Sequence, residues 1–173
     1  RKKWCSTRTR TSKCLSTSTT SSKPSSGQSE RFIEFIGQEL QSLINQRYRT
    51  TGSKTLIGQS LGGLLATEIL FDQPQLFDHY IIVSPSLWWD NERLLKRELG
   101  QSLEGKSVYI GVGKEGPIME RLAQSLFYKL SLEKKNELKL FFKYFEQQDH
   151  GDTLHLAVYD AFEKLFKDKE EKN

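Results

Sequence analysis

Apolar residues along this chain follow two rhythms, separated by polar breaks. Phe32, Ile33, Phe35, Ile36, Leu40, Leu43 and Ile44 recur at three- and four-residue spacing. That spacing predicts an amphipathic helix from about 30 to 46, with Ser29 as its N-cap. After a turn around Thr51-Gly52-Ser53, the run at 54–58 reads as a buried strand, and Leu64, Leu65, Ala66, Ile69 and Leu70 mark a helix over 61–72 that ends at Pro74. Residues 79–84 form a second short apolar run, closed by Pro85. A short helix around 91–99 leads to a third strand at 107–112, and Ile118, Leu122, Leu126 and Leu130 mark the next helix. A fourth strand follows from Leu138 to Phe145, then a closing helix over 154–167 with Val158, Phe162, Leu165 and Phe166 on one side. Strands alternating with helices imply βαβ units, so the expected class is α/β: a mainly parallel sheet of about four strands, covered on both faces. Right-handed crossovers then bring the carboxyl ends of all four strands to one edge.

Residues 1–29 break this pattern. They are rich in Ser, Thr, Lys and Arg with almost nothing to bury, so they are expected to be a disordered tail ahead of one domain over 30–173. Charge divides at the same place. Residues 1–30 hold seven basic residues and one acidic, a balance of +6, while the other 143 hold 19 basic and 21 acidic, a balance of −2. A near-neutral domain lacks the basic face that nucleic-acid binding needs, so no nucleic-acid partner is expected. No apolar run approaches the ~20 residues of a membrane span, so no membrane partner is expected either. The basic start of the chain is followed after Leu15 by Ser and Thr rather than an apolar core, unlike a signal peptide. Cys5 and Cys14 both lie in the tail, and no Cys or His spacing suits a metal site.

The chemistry starts at Gly58-Gln59-Ser60-Leu61-Gly62, between the first strand and its helix. This G-x-S-x-G pattern is that of a nucleophile elbow, where a sharp turn presents a serine and the positions two before and two after it must be small. Ser60 is the candidate nucleophile, and the N–H of Leu61, at the start of the helix, is a candidate oxyanion donor. A serine needs a base, and functional residues of α/β sheets gather at the carboxyl ends of the strands. His79 begins a strand, and His155 lies in the first turn of a helix. His150, in the loop after the fourth strand, is at the correct edge and is the candidate base. For the orienting acid, the chain order Ser…Asp/Glu…His favours Glu115, after the third strand. Asp90, after the second strand, and a Ser–His dyad without an acid are the alternatives. Trp88 and Trp89, at the same edge, suit either an aromatic wall for an acyl or aryl group or closure of the core beneath their loop.

Three segments together resemble the Putative esterase family of α/β hydrolases, which includes ferric-siderophore (enterobactin-type) esterases, S-formylglutathione hydrolases and feruloyl or acetyl-xylan esterases. They are the run from Tyr48 through Thr50-Thr51-Gly52 to Gly58-Gln59-Ser60-Leu61-Gly62-Gly63, the segment from Ser84 to Asp90, and Asp149-His150-Gly151 before an amphipathic helix. Ser84-Pro85-Ser86-Leu87-Trp88-Trp89 is more specific than the elbow and points to the siderophore-esterase-like branch. The resemblance runs from about residue 30 to 167. It implies a serine esterase that forms an acyl-enzyme on Ser60 with His150 as base, acts on a small-molecule ester without metal or cofactor, and works in a bacterial cytoplasm or periplasm. Gln59 stands where the family commonly has His.

Family members carry further strands, and the loop with the second oxyanion donor, ahead of the helix that begins here near residue 30. In this chain the Ser/Thr-rich tail stands in that place, which implies a partial α/β-hydrolase fold. A catalytically impaired or inactive fragment is therefore the alternative function, and an incomplete sheet leaves an exposed edge that favours self-association.

Overall fold

The computed structural model describes residues 29–132 and 137–166; the expected tail, apart from Ser29, and both cysteines lie outside the described residues. The chain enters through α1 (Ser29–Glu34), a π-helical stretch (Phe35–Leu40) and α2 (Gln41–Arg47), then β1 (Thr55–Gln59) and α3 (Leu61–Asp72). A 3₁₀ turn (Pro74–Leu76) leads to β2 (His79–Val83), α4 (Trp89–Lys96), β3 (Ser107–Gly113), α5 (Pro117–Leu132), β4 (Lys139–Phe145) and α6 (Thr153–Phe166). The four strands lie side by side in chain order, all parallel. Their register pairs Gln59 with Val83 and Gly113 with Phe145, so the chain leaves every strand at the same edge.

Apolar alternation sorts the sheet into two layers. Tyr80, Ile82, Val108, Ile110 and Val112 meet Ile69 and Leu70 of α3 and Leu122 and Leu126 of α5, all buried, and Ile33 and Ile36 from the entry helices close this side. On the other face, Ile81, Val83, Tyr109 and Phe145 pack under Ala157 and Ala161 of α6. This second cover stops short of β1, where Ile57, level with Ile81, is 42% exposed. The helix α3 is apolar nearly all round, as suits an element wedged between sheet and flanking helices.

The entry helices depart from the expected pattern in three ways. Their middle is π-helical where Gly37 sits: a Cβ there would lie 3.0 Å from Leu76 Cδ2, so the glycine lets the 3₁₀ turn pack close. The Ser29 hydroxyl donates to Glu68 Oε1 at 2.9 Å instead of capping the helix. Of the apolar face read from the periodicity, only Ile33 and Ile36 are buried, while Phe32, Phe35, Leu40, Leu43 and Ile44 are exposed. The expected helix at 91–99 also shifts, to Trp89–Lys96, and Asp90, Asn91 and Glu92 within it have positive φ. Asn and Asp visit that region more readily than most residues. There Glu92 faces α5 and pairs with Arg121 at 2.6 Å.

His79 lies at the amino end of β2, with its ring edge-on to Phe166 at 4.8 Å and its Nδ1 buried without a hydrogen-bond partner. Burial lowers its pKa below the usual ~6.5; Asp78 opposes the shift, and Lys139 and Lys106 add to it. A base with a lowered folded-state pKa binds its proton more tightly in the unfolded chain, so its burden on stability is absent above about pH 6.5 and grows as pH falls below it. Thermal melts from pH 7.5 to 5.5 should show a falling midpoint, with a shallower fall in His79→Leu. Equal slopes in the two proteins would remove His79 as the cause.

Candidate active site

Ser60 stands at the joint between β1 and α3 with φ 57° and ψ −117°, outside the regions that ordinary side chains favour. Backbone bonds hold it there from both sides. Its N–H donates to Val83 O at 3.1 Å, and its carbonyl accepts from the N–H groups of Leu64 at 2.9 Å and Ser86 at 3.0 Å. The bond from Leu64 is the first within α3, so the N–H of Leu61 lies ahead of it at the helix start. Crowding around the elbow differs from the expected pair of small positions. A Cβ at Gly58 would sit 2.2 Å from Gly62 O, so Gly58 is obligatory, but a Cβ at Gly62 would meet nothing within 4 Å. The second tight position is Gly63, where a Cβ would lie 3.0 Å from Pro85 Cα and 3.1 Å from Val83 O.

The carboxyl ends of the other three strands converge on this serine. From β3 come Lys114 and Glu115; the N–H groups of Glu115 and Gly116 both donate to Glu120 Oε1, at 3.1 and 3.0 Å, which fixes the turn into α5. The Glu115 carboxylate is 3% exposed and its two oxygens are used differently. Oε1 accepts from Ser84 Oγ and from the Gly113 N–H at 3.0 Å, whereas Oε2 lies 2.6 Å from His150 Nδ1. The loop after β4 presents that imidazole. Asp149 Oδ1 accepts from the N–H groups of Gly151 at 2.8 Å and Asp152 at 3.2 Å, so this carboxylate folds the loop and is not His150's partner. Gln59 Nε2 donates to the His150 carbonyl at 2.6 Å and ties the loop to the elbow.

Ser60, Ser86, Trp88, Lys114, Glu115, Met119 and His150 are among the residues that line one open cleft of about 660 Å³. The Ser60 hydroxyl is hydrogen-bonded to Ser86 Oγ at 3.3 Å rather than to His150. Such contacts commonly tighten only when substrate is bound. Of the two tryptophans, Trp88 lines the cleft; Trp89 packs beside it with ring centroids 5.7 Å apart and is not part of the lining. Asp90 is exposed and paired with Arg93 at 3.3 Å, so Glu115 and not Asp90 meets the imidazole. His79 lies at the opposite end of the sheet, and His155 is exposed on α6. Gln59, Ser84 and Ser86 also meet the candidate site residues. The sequence marks them through the elbow pattern and the Ser84-to-Trp89 segment, but neither assigns these side chains a role.

A family profile described as "Putative esterase" matches residues 9–167. The chain belongs to this family. A triacetylfusarinine C esterase of Aspergillus fumigatus, a siderophore esterase, is 37% identical over 84 residues, covering 47% of this chain and 28% of that protein. Among solved structures, the BES protein from Bacillus cereus matches with a TM-score of 0.67 and 30% identity over 76% of this chain and 52% of that one. An IroE-like serine hydrolase from Shewanella oneidensis matches with a TM-score of 0.67 and 30% identity over 80% of this chain and 48% of that one. The chain therefore spans about half the length of these structures, and less of the curated relatives. The part that matches is an α/β-hydrolase fold, in keeping with the parallel sheet and the elbow. Among the described residues, no helix is long and apolar enough to cross a membrane, and no group of three His, Cys, Asp or Glu is placed to hold a metal ion.

Proposed function

We propose that this chain carries the active site of a carboxylic-ester hydrolase that works through an acyl-enzyme on Ser60. One observation carries the reading: the imidazole that shares a cleft with an elbow serine has its Nδ1 2.6 Å from a carboxylate that is buried and held by two other donors. A serine hydrolase needs this contact of acid and imidazole, which fixes the tautomer so that Nε2 is free to take the serine proton. In the reaction, Ser60 Oγ attacks the ester carbonyl carbon while His150 takes its proton. The Leu61 N–H donates to the carbonyl oxygen as it becomes negative. Collapse breaks the bond to the alcohol, which leaves with the proton held by His150. Water then repeats the sequence on the acyl-enzyme, releasing the carboxylic acid and restoring Ser60. Trp88 and Met119 supply apolar surface for the acyl or aryl part of a substrate. The siderophore esterases among the relatives support a siderophore ester as the substrate class. Because candidate nucleophile, base and acid all lie in this chain, the observations favour a hydrolase over an inactive fragment.

The test is covalent labelling with a fluorophosphonate, followed by peptide mapping. The adduct is expected on the peptide bearing Ser60, together with slow p-nitrophenyl acetate turnover. An adduct mapped to any other serine would refute the reading.

A further inference from the structure

Ser84-Pro85-Ser86 leaves the carboxyl end of β2 and touches both ends of the candidate triad, and hydrolysis as read above assigns neither hydroxyl a role. Ser84 is fully buried with φ 45°, although its N–H is still bonded to Gly111 O of β3 at 2.8 Å. A non-glycine residue at positive φ costs energy, and such strain persists only where the surroundings demand it. Here the left-handed turn aims Ser84 Oγ at Glu115 Oε1. Two residues on, Ser86 is 3% exposed; its N–H donates to Ser60 O at 3.0 Å, and its hydroxyl lies 3.3 Å from Ser60 Oγ. Pro85 between them packs against α3 at Gly63, which fixes the segment relative to the elbow.

We propose that Ser84 and Ser86 are further functional residues of this site: Ser84 a positioning residue that acts through Glu115, and Ser86 a catalytic residue that contacts the nucleophile itself. The inference rests on the hydrolase reading. Ser84 and the Gly113 N–H together occupy Oε1, which leaves Oε2 as the oxygen presented to His150 Nδ1. A hydrogen bond to a charged group is stronger than a neutral one, and this one sets which way the carboxylate faces. Ser86 acts at the other end of the triad. When it donates to Ser60 Oγ, the Ser60 hydrogen is left free to point at the imidazole. The same bond then stabilises the negative charge that develops on Oγ as the proton departs.

The experiment measures the second-order rate of fluorophosphonate labelling of the full chain and the downfield proton NMR signal of the His150 Nδ1–H, with Ser60→Ala as the unlabelled control. Ser84→Gly removes the hydroxyl but also relaxes the positive φ, which offsets part of the lost hydrogen bond, so the variant should stay folded, as a thermal melt will check. It is expected to label about ten- to a hundredfold more slowly and to lose or shift the imidazole signal. Ser86→Ala is expected to label about five- to tenfold more slowly with the imidazole signal unchanged. Ser86→Thr should restore most of the rate. Parental labelling in both Ser84→Gly and Ser86→Ala, with the signal intact in the former, would overturn the proposal. If the parent chain does not label at all, the hydrolase reading fails and the role of Ser86 fails with it; Ser84 then stands or falls on the imidazole signal alone.

Discussion

Replacing Ser60 with alanine is expected to abolish both the fluorophosphonate adduct and p-nitrophenyl acetate turnover, a loss on the order of 10⁶-fold in serine hydrolases of comparable design. The size of the effect follows from what the elbow does. β1 and α3 force Ser60 to φ 57°, and bonds from Val83, Leu64 and Ser86 hold its backbone while the hydroxyl faces the cleft. Alanine meets the same backbone constraint at Ser60 as serine does, so the fold should survive and a melting curve should confirm it. The neighbouring Ser86 makes the test sharp. Its hydroxyl is only 3.3 Å from Ser60 Oγ, close enough to take over if position alone made a nucleophile. It lacks the elbow, so the adduct should vanish and not move. Appearance of the adduct on Ser86 in the variant would end the assignment.

The second large effect is expected from Glu115→Gln, at about 10³- to 10⁴-fold in labelling rate. The carboxylate oxygens have separate duties, and an amide cannot perform both. Ser84 and the Gly113 N–H both donate to Oε1, so the amide oxygen will settle there. Its NH₂ then faces His150 Nδ1, where an acceptor stood before. The imidazole must accept at Nδ1 and carry its hydrogen on Nε2, the nitrogen that should take the serine proton. The variant should therefore fold normally yet hold the wrong tautomer. Asp90→Asn, at the exposed alternative carboxylate, should label within about twofold of the parent. A change of only a few-fold in Glu115→Gln would point to a dyad that works without an acid.

These residues differ in how far the sequence discloses them. The strands β2 and β3 are legible because both sheet faces are covered there, so Tyr80-Ile81-Ile82-Val83 and Val108-Tyr109-Ile110 are apolar without interruption. Ser60 and His150 follow from a local pattern and a topological rule. Glu115 could only be favoured over Asp90, because the deciding contact joins residues 35 apart. The segment with Ser84 and Ser86 stands out in the sequence, but the contacts of their hydroxyls do not, for the same reason: their partners lie 31 and 26 residues away. At the elbow, the pattern marks Gly62, but the steric demand falls on Gly63 because Pro85 arrives from another strand. In α4, nothing in the periodicity encodes positive φ at Asp90, Asn91 and Glu92; their conformation goes with the docking of Glu92 against Arg121. The exposed apolar side chains of the entry helices were legible as a face, but not as one that stays open among the described residues.

The strands stand in chain order across the sheet, and each adds one piece of the site: Ser60 after β1, Ser84 and Ser86 after β2, Glu115 after β3, and His150 after β4. This arrangement is expected to make assembly of the candidate site a late event in folding. The bond from Gln59 to the His150 carbonyl closes a span of 91 residues, and long-range closures of that kind are slow because loop entropy is lost before contacts repay it. On the proposed reading, a chain with only β1 to β3 in register already holds the elbow and the candidate acid but lacks the candidate base. Reactivity toward a fluorophosphonate is therefore a clock for the last strand to dock, and it should rise after far-ultraviolet helix signals have already recovered.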